Sequence, residues 1–151
     1  MKKLLFGLVL LLGLVMSAAA QPQSPVSWSA TAVKATDGLY KVTITAAVPA
    51  PWHIYSQSTP DGGPVPTSVS FNKNPLVTVT GKTTEKGDLK TTHDKNFGVD
   101  VKYYGGKVQF IQAVKVKAGV KTNVSGEVNF MVCNDSECLP PSSWKFSVQL
   151  N

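Results

Sequence analysis

Short runs in which apolar and polar residues alternate are the feature that most restricts the fold of this chain. The clearest run puts Tyr40, Val42, Ile44, Ala46 and Val48 at every second position. Successive residues of a strand point to opposite faces, so this period predicts strands with one buried face and one solvated face. The same pattern returns at residues 68–71, 99–103, 124–132 and 144–150.

Turn-forming residues separate these runs at short intervals. Asp37-Gly38 and the proline-rich and glycine-rich residues 49–51 and 60–66 mark loops, and Gly105-Gly106 predicts a tight hairpin turn. Seven to nine short strands with this spacing predict an all-β fold, an immunoglobulin-like antiparallel β-sandwich. The disulfide typical of immunoglobulin domains is not expected, because it joins distant strands.

The first twenty residues have the features of a secretory signal peptide. Lys2 and Lys3 precede an apolar run at residues 4–16, and Ala18-Ala19-Ala20 suits a signal peptidase. The apolar run is shorter than the roughly 20 residues that a membrane-spanning helix needs. We therefore predict cleavage after Ala20, export to the periplasm, one domain at residues 21–151, and no stable membrane insertion after cleavage.

The charge pattern argues against a nucleic-acid partner. The chain carries 15 basic and 9 acidic residues, and every basic residue is a lysine. Recognition of phosphates and base edges usually depends on the bidentate guanidinium of arginine. The lysines are also scattered along the predicted strands, which is typical of a solvated surface.

The two cysteines, Cys133 and Cys138, are close in sequence and are expected to form a disulfide in an exported protein. A bridge that closes about six residues contributes only about 2 kcal/mol to stability, roughly half the value for a long loop. The residues alone leave both a redox-active and a structural disulfide open. Asp135 and Glu137 favour the protonated thiol, which suits a carrier attacked by a partner's thiolate.

A metal site formed by the cysteines with His53 and His93 is the other chemistry considered. Cys₂His₂ sites usually bring their ligands in closer pairs, and a disulfide would consume both thiolates. The sequence also contains no glycine-rich phosphate loop and no Ser-His-Asp constellation. We predict neither a metal nor an organic cofactor.

Three segments together resemble one family. They are WHIYSQ at residues 52–57, HDKNFG at residues 93–98 and CNDSECLPP at residues 133–141. They are similar to the N-terminal periplasmic domain of the thiol:disulfide interchange protein DsbD, over residues 26–150. The resemblance implies an electron carrier between the thioredoxin-like domain of a membrane thiol reductase and periplasmic thiol oxidoreductases. It also implies that Cys138 forms the mixed disulfide with partners and that Cys133 resolves it.

The family also has a cap loop whose aromatic residue covers the disulfide. The resemblance implies that Phe97 is this cap, that Gly98 permits the loop to move, and that Tyr55 lines the site. Packing within the sandwich is the alternative for both aromatic residues. Large family members continue into a membrane domain and a thioredoxin-like domain. We therefore expect a chain ending at Asn151 either to depend on other proteins for both functions or to have another use.

The competing hypothesis for function is a non-catalytic exported immunoglobulin-like binding module, in which the short disulfide only shapes a loop. A carrier's disulfide should be reducible under mild conditions with the fold intact. The disulfide of a binding module should resist reduction, or the fold should be lost with it.

Overall fold

The computed structural model describes residues 24–95 and 97–151. The predicted signal peptide, residues 1–20, therefore lies outside the described residues. Within the described ranges, no helix is long and apolar enough to cross a membrane. The described strands are β1 (Ser27–Thr36), β2 (Leu39–Val48), β3 (His53–Tyr55), β4 (Ser68–Phe71), β5 (Val77–Asp94), β6 (Val99–Val116), β7 (Thr122–Phe130), β8 (Val132–Cys133) and β9 (Ser142–Leu150).

The strands form two antiparallel sheets. The larger sheet has the order β1-β2-β6-β3-β8, and β5 pairs with the other edge of β6. The smaller sheet has the order β4-β7-β9. The predicted immunoglobulin-like β-sandwich is confirmed.

The alternation read from the sequence corresponds to the buried face of the sandwich. In β2, the five alternate residues that begin at Tyr40 and end at Val48 are at most 6 % exposed. They share one apolar core with Val128 and Phe130 of β7 and Leu150 of β9. Removing such side chains from water is the main stabilisation of a sandwich, so this core is independent of the cysteine pair.

The predicted hairpin turn at Gly105-Gly106 is wrong. Both glycines lie inside β6, which runs without interruption from Val99 to Val116. Gly106 has a φ of 70°, a left-handed conformation that glycine adopts without steric cost. At this point β6 changes its partner on one edge, from Val48 of β2 to Ile54 of β3. The glycines therefore bend a continuous strand, and a Gly-Gly pair does not distinguish this bend from a turn.

The longest hairpin of the described chain consists of β5 and β6, each of 18 residues. The sequence pattern missed β5, because most of its residues are exposed and no buried face imposes alternation. Its pairing with β6 shifts register between Gly87 and Leu89, opposite the glycine bend. The β5–β6 turn follows the last pair of this hairpin, Asp94 and Val99.

Candidate redox site at the disulfide

The disulfide joins Cys133 and Cys138 across a tight turn at the edge of the larger sheet. The two residues pair as an antiparallel bridge with a Cα–Cα distance of 4.0 Å. The backbone N–H of Asn134 donates to the carbonyl of Glu137 over 2.9 Å. The Asn134 side-chain oxygen accepts hydrogen bonds from the backbone N–H groups of Ser136 and Glu137. The expected disulfide-bridged hairpin loop is therefore present.

The two cysteines differ in access to solvent. Cys133 ends β8 and is 1 % exposed, whereas Cys138 is exposed. Tyr55 and Val101 are the buried residues that pack with Cys133. A protein partner can therefore approach Cys138 far more easily than Cys133.

The site lies on the face of the sheet that points away from the main core. Ile54, Tyr104 and Val132 belong to that core. Neighbouring residues along a strand point to opposite faces, so the residues next to them in sequence face outward. These are His53 and Tyr55 of β3, Tyr103 of β6 and Cys133 of β8.

Strand pairing brings these outward residues together. His53 is opposite Cys133, and Tyr55 is opposite Tyr103. The His53 ring lies 4.8 Å from the Tyr103 ring and 5.3 Å from the Tyr55 ring, measured between centroids. Nε2 of His53 is 3.3 Å from the Tyr55 hydroxyl. An imidazole and two phenols therefore stand beside the buried sulfur.

A cavity of about 360 Å³ opens onto the disulfide. Tyr55 is one of the residues that line it. Phe97 is 37 % exposed in the β5–β6 turn and is not among the described lining residues. Gly98 closes that turn with a φ of 69°, and its N–H donates to the Asp94 carbonyl. The described lining consists of His53, Tyr55, Thr92, His93, Asp94, Lys95, Val101, Tyr103, Cys133, Asn134, Asp135 and Cys138.

Burial dominates the electrostatics of the ionisable residues on β3. It lowers the pKa of His53, against the opposing negative charges of Asp135 and Asp94. It also raises the pKa of Tyr55 to about 12, reinforced by the charge of Asp94. At neutral pH the site therefore contains a neutral imidazole and a protonated phenol, with carboxylates at its rim.

Glu85 of β5 anchors the chain immediately after β3. Its carboxylate accepts hydrogen bonds from the Ser56 hydroxyl at 2.6 Å, the Gln57 backbone N–H at 2.7 Å and the Tyr104 hydroxyl at 2.9 Å. Ser56 is fully buried. Charge-assisted hydrogen bonds of this kind are among the stronger ones in proteins, so Glu85 helps to hold β3 against β6.

The two histidines have different surroundings. Nδ1 of His93 is 2.9 Å from a carboxylate oxygen of Asp100, in an exposed pair near the β5–β6 turn. Within residues 24–95 and 97–151, no group of three or more His, Cys, Asp or Glu residues is arranged to hold a metal ion. Sequence reasoning considered His53 only as a metal ligand and missed Tyr103. A local pattern does not reveal that both lie beside the cysteine pair, because this depends on strand register.

Solved structures of other proteins share this fold. The Neisseria meningitidis DsbD N-terminal domain in the reduced form is 18% identical, with a TM-score of 0.53, and the match covers 80% of this chain and 82% of that chain. The N-terminal periplasmic domain of ScsB from Proteus mirabilis is 16% identical, with a TM-score of 0.55, over 81% and 44% of the two chains. At these identities the likeness shows the fold alone.

A further match is the complex between the DsbD N-terminal and the PilB N-terminal domains from Neisseria meningitidis. It is 14% identical, with a TM-score of 0.50, and the match covers 80% of each chain. The comparison with curated proteins finds no significant match. The family described as thiol:disulfide interchange protein DsbD, N-terminal, matches residues 21–150. This chain therefore belongs to the DsbD N-terminal family and is a thiol–disulfide interchange domain with a cysteine pair.

Proposed function

We propose that this domain is a periplasmic carrier that moves two electrons at a time between other thiol proteins. The electron donor is the thioredoxin-like domain of a membrane thiol reductase, and the acceptors are periplasmic thiol oxidoreductases. The domain comprises residues 21–151 after removal of a signal peptide at residues 1–20. The difference in exposure between Cys138 and Cys133 is the observation that supports this proposal most strongly.

The difference in access gives each cysteine one role. A donor thiolate attacks the exposed sulfur of Cys138, the S–S bond breaks, and Cys133 leaves as a thiolate that takes up a proton. The second donor thiol then attacks the mixed disulfide and releases Cys138 as a thiol. The donor ends as a disulfide and the domain as a dithiol, so two electrons and two protons have moved. The acceptor reaction is the reverse sequence.

Members of the family and their relatives give this proposal further support. One solved relative is the reduced form of a DsbD N-terminal domain, and another is a complex of such a domain with a second protein's N-terminal domain. We propose that this chain has both properties. It remains folded when its disulfide is reduced, and it docks a protein partner at Cys138.

We propose that Phe97 and Gly98 form a movable cap next to this site. A reduced pair in an oxidising compartment loses its electrons to unintended oxidants unless it is shielded. Phe97 follows the cavity-lining residues Asp94 and Lys95 within the same turn, and its N–H lies 3.3 Å from a carboxylate oxygen of Asp94. A rearrangement of this turn would bring the ring over Cys138, and Tyr55 would form the opposite wall.

Coupled reduction tests the carrier function. The oxidised domain is mixed with a thioredoxin-like protein that NADPH and thioredoxin reductase keep reduced, and absorbance at 340 nm is followed. We expect one NADPH to be consumed per domain, and continued consumption once an oxidised periplasmic oxidoreductase is added. A disulfide that this donor does not reduce would favour the binding-module hypothesis.

Single cysteine variants assign the two roles. Cys133→Ser should form a covalent adduct, sensitive to dithiothreitol, with a thioredoxin-like protein that lacks its resolving cysteine, after Cys138 has been activated with thionitrobenzoate. Cys138→Ser is the matched control, and the buried Cys133 should form little adduct. Equal trapping by both variants would contradict the assignment.

A further inference from the structure

We propose that His53 is the proton acceptor and proton donor of Cys133 during thiol–disulfide exchange. This inference rests on the carrier function proposed above and adds one residue to its chemistry. His53 lies on β3 directly opposite Cys133 on β8, and both side chains occupy the outward face of the sheet. Side chains opposite each other in an antiparallel pair have Cβ atoms about 5 Å apart.

The burial of Cys133 is the reason that a proton partner is needed. Its residue is 1 % exposed, and a sulfur that becomes a thiolate there loses most of the stabilisation that water provides. Water also has little access to deliver or remove the proton. An adjacent imidazole solves both problems, because its charge changes close to neutral pH.

His53 is placed to exchange protons with solvent as well as with Cys133. It lines the cavity of about 360 Å³ at the disulfide and also a second cavity of about 600 Å³. Burial lowers the pKa of His53, so the ring is neutral at pH 7 and ready to accept a proton. The titratable and charged groups that line these cavities with it, besides the cysteines, are Tyr55, Asp88, Lys90, His93, Asp94, Lys95, Tyr103, Lys107 and Asp135.

The proton follows a balanced path when the reduced domain delivers its electrons. Cys138 first loses its proton to solvent, and its thiolate attacks one sulfur of the acceptor disulfide to form a mixed disulfide. The acceptor S–S bond breaks, and the other acceptor sulfur leaves as a thiolate that takes up a proton from solvent. Neutral His53 then takes the proton of the Cys133 thiol, and the Cys133 thiolate attacks the Cys138 sulfur. The acceptor sulfur leaves as a thiolate and becomes a thiol with a proton from solvent. The imidazolium returns its proton to solvent, and reduction of the domain follows the same steps in reverse.

Reaction of the reduced domain with dithiobis(nitrobenzoate) separates the two steps in one experiment. Cys138 releases the first thionitrobenzoate when it forms the mixed disulfide. Cys133 releases the second when it closes the intramolecular bridge. At pH 7 we expect His53→Gln to slow the second release about tenfold or more and to leave the first unchanged. The difference between the second-release rates of wild type and His53→Gln should become smaller towards pH 9, where more of the Cys133 thiol ionises without His53.

The outcomes separate this inference from the carrier function. A second release that is equally fast in wild type and His53→Gln would overturn the role of His53 while leaving the carrier intact. The absence of any second release from the wild type would refute reversible disulfide formation itself, and this inference with it. Cys133→Ser, which should show only the first release, confirms which phase belongs to which cysteine.

Two further measurements distinguish proton transfer from a structural role and do not depend on the folding of one variant. In the wild type, the rate of the second release should rise with pH only until His53 has lost its proton. Because the pKa of His53 lies below 6.5, the rate should then stay constant from about pH 6.5 to about pH 8. A rate that rises tenfold per pH unit over that range would contradict the proposal. In His53→Ala, added imidazole should restore the second release in proportion to its concentration, and no restoration would contradict the proposal as well.

Discussion

Reducing the Cys133–Cys138 disulfide should weaken the fold only modestly. The bridge spans a sequence separation of five, and the chain-entropy relation for a loop of this size gives about 2 kcal/mol at 25 °C. The structure indicates that little else is lost, because the disulfide lies on the outward face and the main core packs on the other side of the sheet. For a domain of about 130 residues this corresponds to a decrease in Tm of roughly 5–10 °C.

Circular dichroism tests this value directly. Thermal and urea unfolding are recorded with and without tris(carboxyethyl)phosphine, after thiol labelling has confirmed that the bridge is open. The Cys133→Ser/Cys138→Ser double variant is the matched control, and it should be insensitive to the reductant. The reduced wild type and the double variant should both keep the near-ultraviolet signal of a packed sandwich at 25 °C.

Loss of cooperative unfolding on reduction would refute this reasoning. The disulfide would then hold the sandwich together, and a carrier that unfolds in half of its cycle would not be workable. A decrease in the free energy of unfolding far beyond 2 kcal/mol would lead to the same conclusion. No decrease at all would show that the turn at residues 134–137 is equally restricted in the unfolded chain.

Other substitutions test the scaffold around the site. Glu85→Ala should lower the free energy of unfolding by roughly 2–4 kcal/mol in urea titrations, because three hydrogen bonds are lost and Ser56 is left buried without its carboxylate partner. Glu85→Gln should lower the free energy of unfolding by less. Folding raises the pKa values of Tyr55 and Tyr104 to about 12, above the ordinary value for tyrosine, so the contribution of these two groups to stability should be constant below pH 10 and fall as pH rises towards 12. In a tyrosinate absorbance titration both groups should ionise at higher pH than exposed tyrosines, and Tyr104→Phe should remove one of these two late ionisations. Gly106→Ala should lower the free energy of unfolding by about 1–2 kcal/mol, because alanine is strained at a φ of 70° even though no atom lies near the added Cβ. No change in the same urea titration would mean that the bend relaxes.

The sequence pointed to some residues of this site but not to all of them. Cys133 and Cys138 follow from their spacing and export context, and Tyr55 follows from a resemblance that covers its segment. His53 and Tyr103 are separated from the cysteines by many residues, and they reach the site only because β3 lies between β6 and β8. Sequence alternation indicates which residues share a face of one strand, but it does not indicate which strand lies next to it.

The sequence by itself determined the all-β class, the inward face of β2 and the pairing of the two cysteines in a short-loop disulfide, because alternation and spacing are properties of short segments. Tertiary structure decided the different exposure of Cys133 and Cys138, the bend of β6 at Gly106 and the pairing of His53 with Cys133. These features depend on strand register and on contacts between residues far apart in the chain. Such contacts form only when the whole sandwich has packed, so no local pattern encodes them.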